Sequence, residues 1–522
     1  MVGRNDMNIS RRTQNSFINV SVSILGQVIS VVIGFSARIV FIRQLGDVYL
    51  GANTLFTNIV GLFSLAELGV GTAINYSLYK PLAEKNERKL KSLMQLYRKV
   101  YFIIGVVIFA IGIIVMPFLN LFMQTSDTTQ VDSLHFIFFL FVLNSSVSYF
   151  YSFKRALIIS DQKRYIATLY RYAFFILMNG IQIVFLYLTS DYIVFLFIML
   201  ACTIAENICV SKKANKMYPF LKDKDIDKIE DSDVSEIKRN TVALLYHKIG
   251  STIVNSTDSI LISKLIGLVT VAKYSNYYLI TNTLNIIMAQ FFMSLTASVG
   301  NLGASEANEK SERVFFRLFF LNFWIVCILS VCIYATADAF IQLCFGNNYV
   351  LNHFVLMCIV FNFFLYQIRR TVMCFKDALG IFWYDRYKSL VEAVINLISS
   401  IILGIKFGLE GIIIGTIISS IATSIWVEPY VLFKYAFKNT PKKYFIQLLL
   451  YVSITIALCP LCRWIVNYMQ LGGLIGFALS VFFCVVVVSA FISVLFFKTD
   501  SFSYFLSLSK SVLFNLKNCI RK

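Results

Sequence analysis

Residues 100–122 read VYFIIGVVIFAIGIIVMPFLNLF, a run without a single charged side chain. At 1.5 Å per residue, a helix of this length spans roughly 35 Å, enough to cross a hydrocarbon core of about 30 Å. A strand of a membrane barrel would show about ten residues of alternating polarity instead. Here apolar side chains follow one another without alternation, so the stretch predicts a transmembrane helix.

Similar runs recur from Ser16 to Phe497, separated by short polar breaks. They predict about fourteen spans, near 16–42, 50–79, 100–122, 134–153, 166–188, 192–210, 241–266, 272–299, 315–337, 350–368, 389–406, 409–433, 444–466 and 473–497. Composition agrees: 58% of residues are hydrophobic, only 14% are charged, and the mean hydropathy is +0.73. A soluble domain carries about 25% charged residues, and a chain of this length cannot hide so much apolar surface from water. The fold class is all-α, a polytopic membrane protein.

The net charge of +19 could suggest nucleic acid. Its distribution says otherwise. With the N-terminus in the cytoplasm, 40 of the 47 Lys and Arg fall on cytoplasmic segments and adjoining span ends. Five, Arg43, Lys264, Lys273, Lys406 and Arg463, fall on the outer side, and Arg38 and Lys248 lie within spans. This is the positive-inside bias, with membrane lipids as the partner of the basic charge and both termini in the cytoplasm. A multi-pass membrane location is expected. Ser10-Arg11-Arg12-Thr13 has a faint twin-arginine look, but no small-residue cleavage site follows the first run, so an uncleaved first span is expected.

Other classes find little support. The longest polar stretch, near 211–240, is too short to fold alone and reads as a cytoplasmic linker. There is no phosphate-cradling Gly-rich loop with its Lys-Ser/Thr, so a self-powered pump is not expected, nor is any cofactor. His135, His247 and His353 are scattered without metal-ligand spacing. Most of the 11 cysteines lie within spans as small apolar fillers, and Cys459-Pro460-Leu461-Cys462 lacks a thioredoxin-like setting.

The linker divides two similar halves. Leu55-Phe56-Thr57-Asn58 recurs as Leu279-Ile280-Thr281-Asn282, Thr72-Ala73 as Thr296-Ala297, and Arg43-Gln44-Leu45-Gly46 is echoed by Lys264-Leu265-Ile266-Gly267. Six spans per half, starting on the same side, make a parallel repeat. The expected organisation is an N-terminal six-helix lobe over 1–210, a linker over 211–240, a second lobe over 241–433, and two additional helices with a cytoplasmic tail over 434–522.

Polar residues inside spans single out candidate functional groups. Ser23, Gln27, Gly34 and Arg38 fall near one face of the first span, and Lys248, Thr252, Asn255 and Ser259 on one face of the seventh. Substrate binding is assigned to Arg38, Lys248, Gln27 and Asn255. The alternative is that such groups bond neighbouring helices, or that Arg38 and Lys248 snorkel. A charge inside a span costs about 2.5–3.5 kcal/mol on insertion scales, so Glu67 and Asp258 are assigned to ion coupling or gating. Arg38 and Asp258 lie 8 and 9 residues before the glycines of the repeat, Gly46 and Gly267, which puts opposite charges at similar depth. Glu206 and Glu392, near cytoplasmic ends, read as structural. Tyr149, Tyr151, Trp383, Tyr384 and Trp426 suit sugar stacking or an interfacial aromatic belt.

Phe41-Ile42-Arg43-Gln44-Leu45-Gly46 and Ser64-Leu65-Ala66-Glu67-Leu68-Gly69-Val70-Gly71 resemble the first spans of bacterial oligosaccharide flippases, the polysaccharide branch of the superfamily that also holds multidrug-and-toxin extruders. Asn255-Ser256-Thr257-Asp258-Ser259-Ile260-Leu261-Ile262-Ser263-Lys264, Tyr274-Ser275-Asn276-Tyr277-Tyr278, and the spacing of Glu392, Asn396, Gly408, Gly411, Gly415 and Thr416 extend the resemblance over essentially the whole chain. It implies a non-enzymatic flippase that moves undecaprenyl-pyrophosphate-linked oligosaccharide to the outer leaflet for capsule, exopolysaccharide or O-antigen assembly. The partners implied are the lipid-linked oligosaccharide, a polysaccharide polymerase and glycosyltransferases. Three alternatives stay open: a multidrug extruder of the same fold, a carrier of peptidoglycan or teichoic-acid precursors, and a membrane-embedded glycan polymerase.

Overall fold

The computed structural model describes residues 2–67, 70–223, 248–254, 256–305, 308–381, 383–469 and 472–507. Among these, every regular element is helical. In chain order they are α1 (Val2–Phe63), α2 (Val70–Glu84), α3 (Glu87–Val115), α4 (Thr125–Thr128), α5 (Leu134–Phe150), α6 (Ser152–Ser160), α7 (Arg164–Thr189), α8 (Tyr192–Met217), α9 (helical residues 248–254 and 256–265), α10 (Leu268–Ser305), α11 (Asn308–Phe345), α12 (His353–Ile368), α13 (Arg370–Leu379), α14 (Lys388–Ala422), α15 (Ser424–Leu432), α16 (Lys442–Met469) and α17 (Gly473–Phe496). Polar side chains start several of them: Asn86 accepts from Lys89 N, Asp191 from Ile193 N, and Asn352 from Phe354 N.

Ten helices are long and apolar enough to cross a membrane, and α5 with α6, bent by 47°, forms a further span. Two of the ten are double. Gly408 (φ 63°, ψ −133°) folds α14 back on itself. Asn396 Nδ2 donates to Thr416 Oγ1 at 2.9 Å, and Ser399 and Ser400 donate to the carbonyls of Gly415 (3.0 Å) and Ile412 (3.1 Å). In a straight helix Asn396 and Thr416 would stand about 30 Å apart. Gly46 (φ 84°, ψ −177°) breaks α1 in the same way. Tyr192 of α8 touches both sides of that break: its ring lies 5.6 Å from Phe41 and 5.2 Å from Tyr49, and its hydroxyl donates to Asn53 Oδ1 at 3.1 Å. With each break separating two crossings, and α9 added, the described helices make up the fourteen spans.

The chain divides into two compact units, Met1–Ala272 and Lys273–Lys522. In the first, the leading leg of α1 lies along α7, where Gly26 makes room for the Tyr172 ring, and α3 lies along α5, where Gly105 and Gly112 admit Phe150 and Val142. α9 belongs to this unit through close backbone contacts. Lys264 Nζ donates to the carbonyls of Asn120 (3.0 Å) and Met123 (3.2 Å), Leu268 N donates to Asp127 Oδ2 (2.8 Å), and Gly51 sits against the Leu268 carbonyl. Lys264 thus satisfies carbonyls of the α3–α4 connection, where the helical ladder has ended.

The second unit is built around α11. Phe315, Phe319 and Phe323 are fully buried along one side of it and meet Tyr444, Tyr451 and Phe496 of the last two helices. Phe323 and Tyr451 stack at 3.9 Å, within 5° of parallel. The two helices outside the repeat are therefore anchored by aromatic packing on α11, which needs no polar glue in an apolar solvent.

The α14 hairpin yields a test. A Cβ at Gly411 would stand 2.0 Å from the Leu403 carbonyl oxygen, whereas one at Gly180 in α7 would meet nothing within 4 Å. Gly411→Ala should cost roughly 1–3 kcal/mol through overpacking and lower the thermal midpoint in detergent. Gly180→Ala should leave the midpoint unchanged or raise it.

A candidate transport site in the first unit

The trailing leg of α1 tightens into a 3-10 turn over Ser64–Glu67, and α2 runs from Val70. A change of helix type inside a span leaves backbone donors to be satisfied, and Glu67 supplies an acceptor: the Gly71 N–H donates to its carboxylate. Glycine leaves room for this approach: a Cβ on Gly71 would lie 2.4 Å from Glu67 Oε1 and 3.0 Å from the Tyr101 hydroxyl, and both groups would have to shift. Tyr101 of α3 and Tyr149 of α5, rings 6.4 Å apart, both lie within the field of the Glu67 charge. Lys248, exposed at the start of α9, also acts on that charge.

The other sequence candidates lie elsewhere on α1 and α9. Asp258 is buried in α9 at 9% exposure, among buried Ser256, Thr257 and Ser259. Ser256 Oγ approaches Gly61, so the Asp258 helix abuts the leg leading to Glu67. Arg38 is half-buried on the first leg of α1. Gln27 on that leg accepts a hydrogen bond from Tyr172 of α7 at 3.4 Å, the bond to a neighbouring helix that the sequence left open as an alternative. Asn255, His247 and most of the expected 211–240 linker lie outside the described residues. The structure therefore brings Tyr101 and Tyr149 up to Glu67, whose charge also feels Lys248, and sets Gln27 against α7.

A second charge cluster lies in the other unit, and the sequence reading missed most of it. Arg369 grips Glu428 with two bonds, Nε to Oε2 at 3.0 Å and Nη2 to Oε1 at 2.8 Å. Lys388 Nζ donates to Glu428 Oε1 at 2.5 Å and to Ser424 Oγ at 2.9 Å. Ser424 in turn donates to Glu392 Oε2 at 2.6 Å, and Lys376 pairs with Asp385. Glu428 stands in the apolar run Ser424-Ile425-Trp426-Val427-Glu428-Pro429-Tyr430-Val431, where the rule that singled out Glu67 would have found it. The cations Arg369, Lys388 and Lys376 balance the anions Glu428, Glu392 and Asp385. Glu392, read from sequence as structural, belongs to this lattice.

The two acids should respond differently to neutralisation. Glu428→Gln strands buried Arg369 and Lys388 and should cost about 3–5 kcal/mol, read as a large drop in thermal midpoint or loss of inserted protein. Glu67→Gln keeps an acceptor for Gly71 N–H and should shift the midpoint far less. Equal losses would mean that Glu67 too is part of a structural lattice.

No protein-family model matches the sequence, and no curated protein matches it either. Solved structures do. The lipid II flippase MurJ in an inward closed conformation aligns over 91% of this chain and 99% of its own, with 14% identity and a TM-score of 0.65. An inward-facing multidrug resistance MATE family transporter of the MOP superfamily aligns over 78% of this chain and 97% of its own, with 15% identity and a TM-score of 0.56. The Vibrio cholerae MATE transporter VcmN in its bent form gives 82% and 97%, 13% identity and a TM-score of 0.52. The chain thus has the fold shared by the lipid II flippase MurJ and the MATE transporters of the MOP superfamily, as its first two spans and its fourteen-span count lead one to expect.

Proposed function

We propose that this protein is a non-enzymatic flippase that carries undecaprenyl-pyrophosphate-linked oligosaccharide from the cytoplasmic to the outer leaflet of a bacterial cell membrane, with both termini in the cytoplasm. The substrate feeds surface polysaccharide assembly, so the protein works beside glycosyltransferases and a polysaccharide polymerase. Two six-helix lobes, 1–210 and 241–433, alternate in access, joined by the 211–240 linker, with the 434–522 helices outside the repeat; α9, the first helix of the second lobe, packs within the compact unit Met1–Ala272. Arg38 and Lys248 hold the pyrophosphate, aided by Gln27 and Asn255. Glu67 and Asp258 couple the cycle to an ion or gate it.

The observation that carries this reading is the presence of cations where an extruder of organic cations would place only acids. Lys248 lies in the field of Glu67, and Arg38 is half-buried in the first crossing. The likeness to MurJ over 91% of the chain, against 78% and 82% for the two MATE transporters, also favours a flippase over a multidrug extruder. MurJ, by its name, flips lipid II, which keeps a peptidoglycan precursor as the second reading.

Deletion followed by leaflet-resolved analysis of lipid-linked oligosaccharide tests the function. Cytoplasmic build-up is expected, and normal polymer would overturn the reading. Arg38→Ala should reduce export at least tenfold with protein levels unchanged, while Arg38→Lys should keep part of it if charge rather than bidentate geometry matters. Reconstituted protein should flip faster with an ion gradient than without, and Glu67→Gln should erase that difference. Equal rates with and without gradients in the unmodified protein would remove the coupling role.

A further inference from the structure

α11, α16 and α17 line an open cavity of about 830 Å³ in the second unit, at the end where α11 stops at Phe345 and α16 gives way to α17. This is the end opposite Lys442 and Lys443, and in the orientation proposed above it faces outward. Its volume is in the range of small-molecule sites, roughly 300–1,000 Å³. One wall is a polar network fixed from several helices. Arg463 Nη2 donates to Asp338 Oδ2 at 2.8 Å and its Nη1 to the Tyr334 carbonyl at 3.0 Å. Tyr277 donates to Asp338 Oδ1 at 2.7 Å while accepting from Leu351 N at 3.2 Å. The Tyr334 hydroxyl lies 2.8 Å from His353 Nε2. Gln342 and Asn467, both exposed, line the same space, and Phe477 supplies an aromatic wall.

We propose that this cavity is a carbohydrate-binding site, independent of the transport residues of the first unit. A sugar offers hydroxyls that both donate and accept, together with an apolar C–H face. Asp338 and His353 can accept, Arg463, Gln342 and Asn467 can donate, and Phe477 can meet the C–H face. Charge selects against the other candidates. Among the described residues that line the cavity, Arg463 is the only Lys or Arg, and Asp338 already balances it at 2.8 Å. A phosphate would therefore bring its negative charge against a carboxylate. An apolar tail would offer nothing to Gln342 and Asn467 or to the remaining lone pairs of Asp338.

The test uses the full chain in nanodiscs and reads binding alone, so its outcome does not depend on flipping. Free neutral di- and trisaccharides are presented as a panel by saturation-transfer NMR, with inorganic pyrophosphate as the anionic probe. At least one neutral saccharide should bind saturably. Gln342→Ala and Asn467→Ala should each weaken it about tenfold, a loss of roughly 1.4 kcal/mol. Gly472→Trp should abolish binding by filling the cavity; no atom lies within 4 Å of its added Cβ, so the fold should stand, as an unchanged thermal midpoint would verify. The proposal fails if no saccharide in the panel binds, if binding survives Gly472→Trp, or if pyrophosphate binds there in place of sugar.

Discussion

Hydrocarbon offers a peptide group no hydrogen bond, and every departure from helix in this protein has to be completed by the protein itself. The solutions differ from place to place. At Gly408 the reversal is closed by Ser399 and Ser400, which donate to carbonyls on the opposite leg. At the α3–α4 connection the ammonium of Lys264, on α9, satisfies the carbonyls of Asn120 and Met123, and the Asp127 carboxylate of α4 accepts from Leu268 N at the start of α10. At Glu67 the side chain itself accepts from the Gly71 N–H of α2. The last case is different in kind, because the group that completes the backbone is also a titratable charge. Whatever changes that charge changes the helix end it supports.

The two charge clusters show why an acid within a span is not by itself a functional signal. Around Glu428 the charges cancel and several bonds tie the cluster together, so it has one arrangement and breaking it exposes uncompensated charge. Around Glu67 a single carboxylate faces one backbone donor, two phenols and an ammonium at an exposed position. An ion, a proton or an anionic ligand can alter the balance there at far smaller cost. A site that must take different states during a cycle is better built on the second pattern.

Much of the fold was legible because one quantity, apolar length, determines it. Runs such as residues 100–122 can only be spans, and the repeat landmarks Gly46 and Gly267 both adopt positive φ at span ends. Less of the site was legible. Glu67 and Asp258 stand out by the cost of their charge, but the bonds of Glu428 join residues 59 and 40 positions away, which no local spacing reveals. The pairing of Tyr101 with Tyr149 at Glu67, and the meeting of Arg463 with Asp338 and His353, likewise depend on which helices lie side by side. Gln27 shows the converse limit. Its helical position is as polar-faced as expected, but α7 supplies a hydroxyl for it.

The reversal at Gly408 also bears on how the chain enters its membrane. A single residue separates the two legs, with Lys406 exposed beside the tip. Threaded alone, the first leg would present Asn396, Ser399 and Ser400 to lipid before the Thr416 hydroxyl and the Gly415 and Ile412 carbonyls they reach had been made. During synthesis the insertion machinery therefore has to retain the first leg until the second emerges. The pair then passes into the bilayer as one hairpin, and in the orientation proposed above the charge at its tip crosses a single time for two crossings.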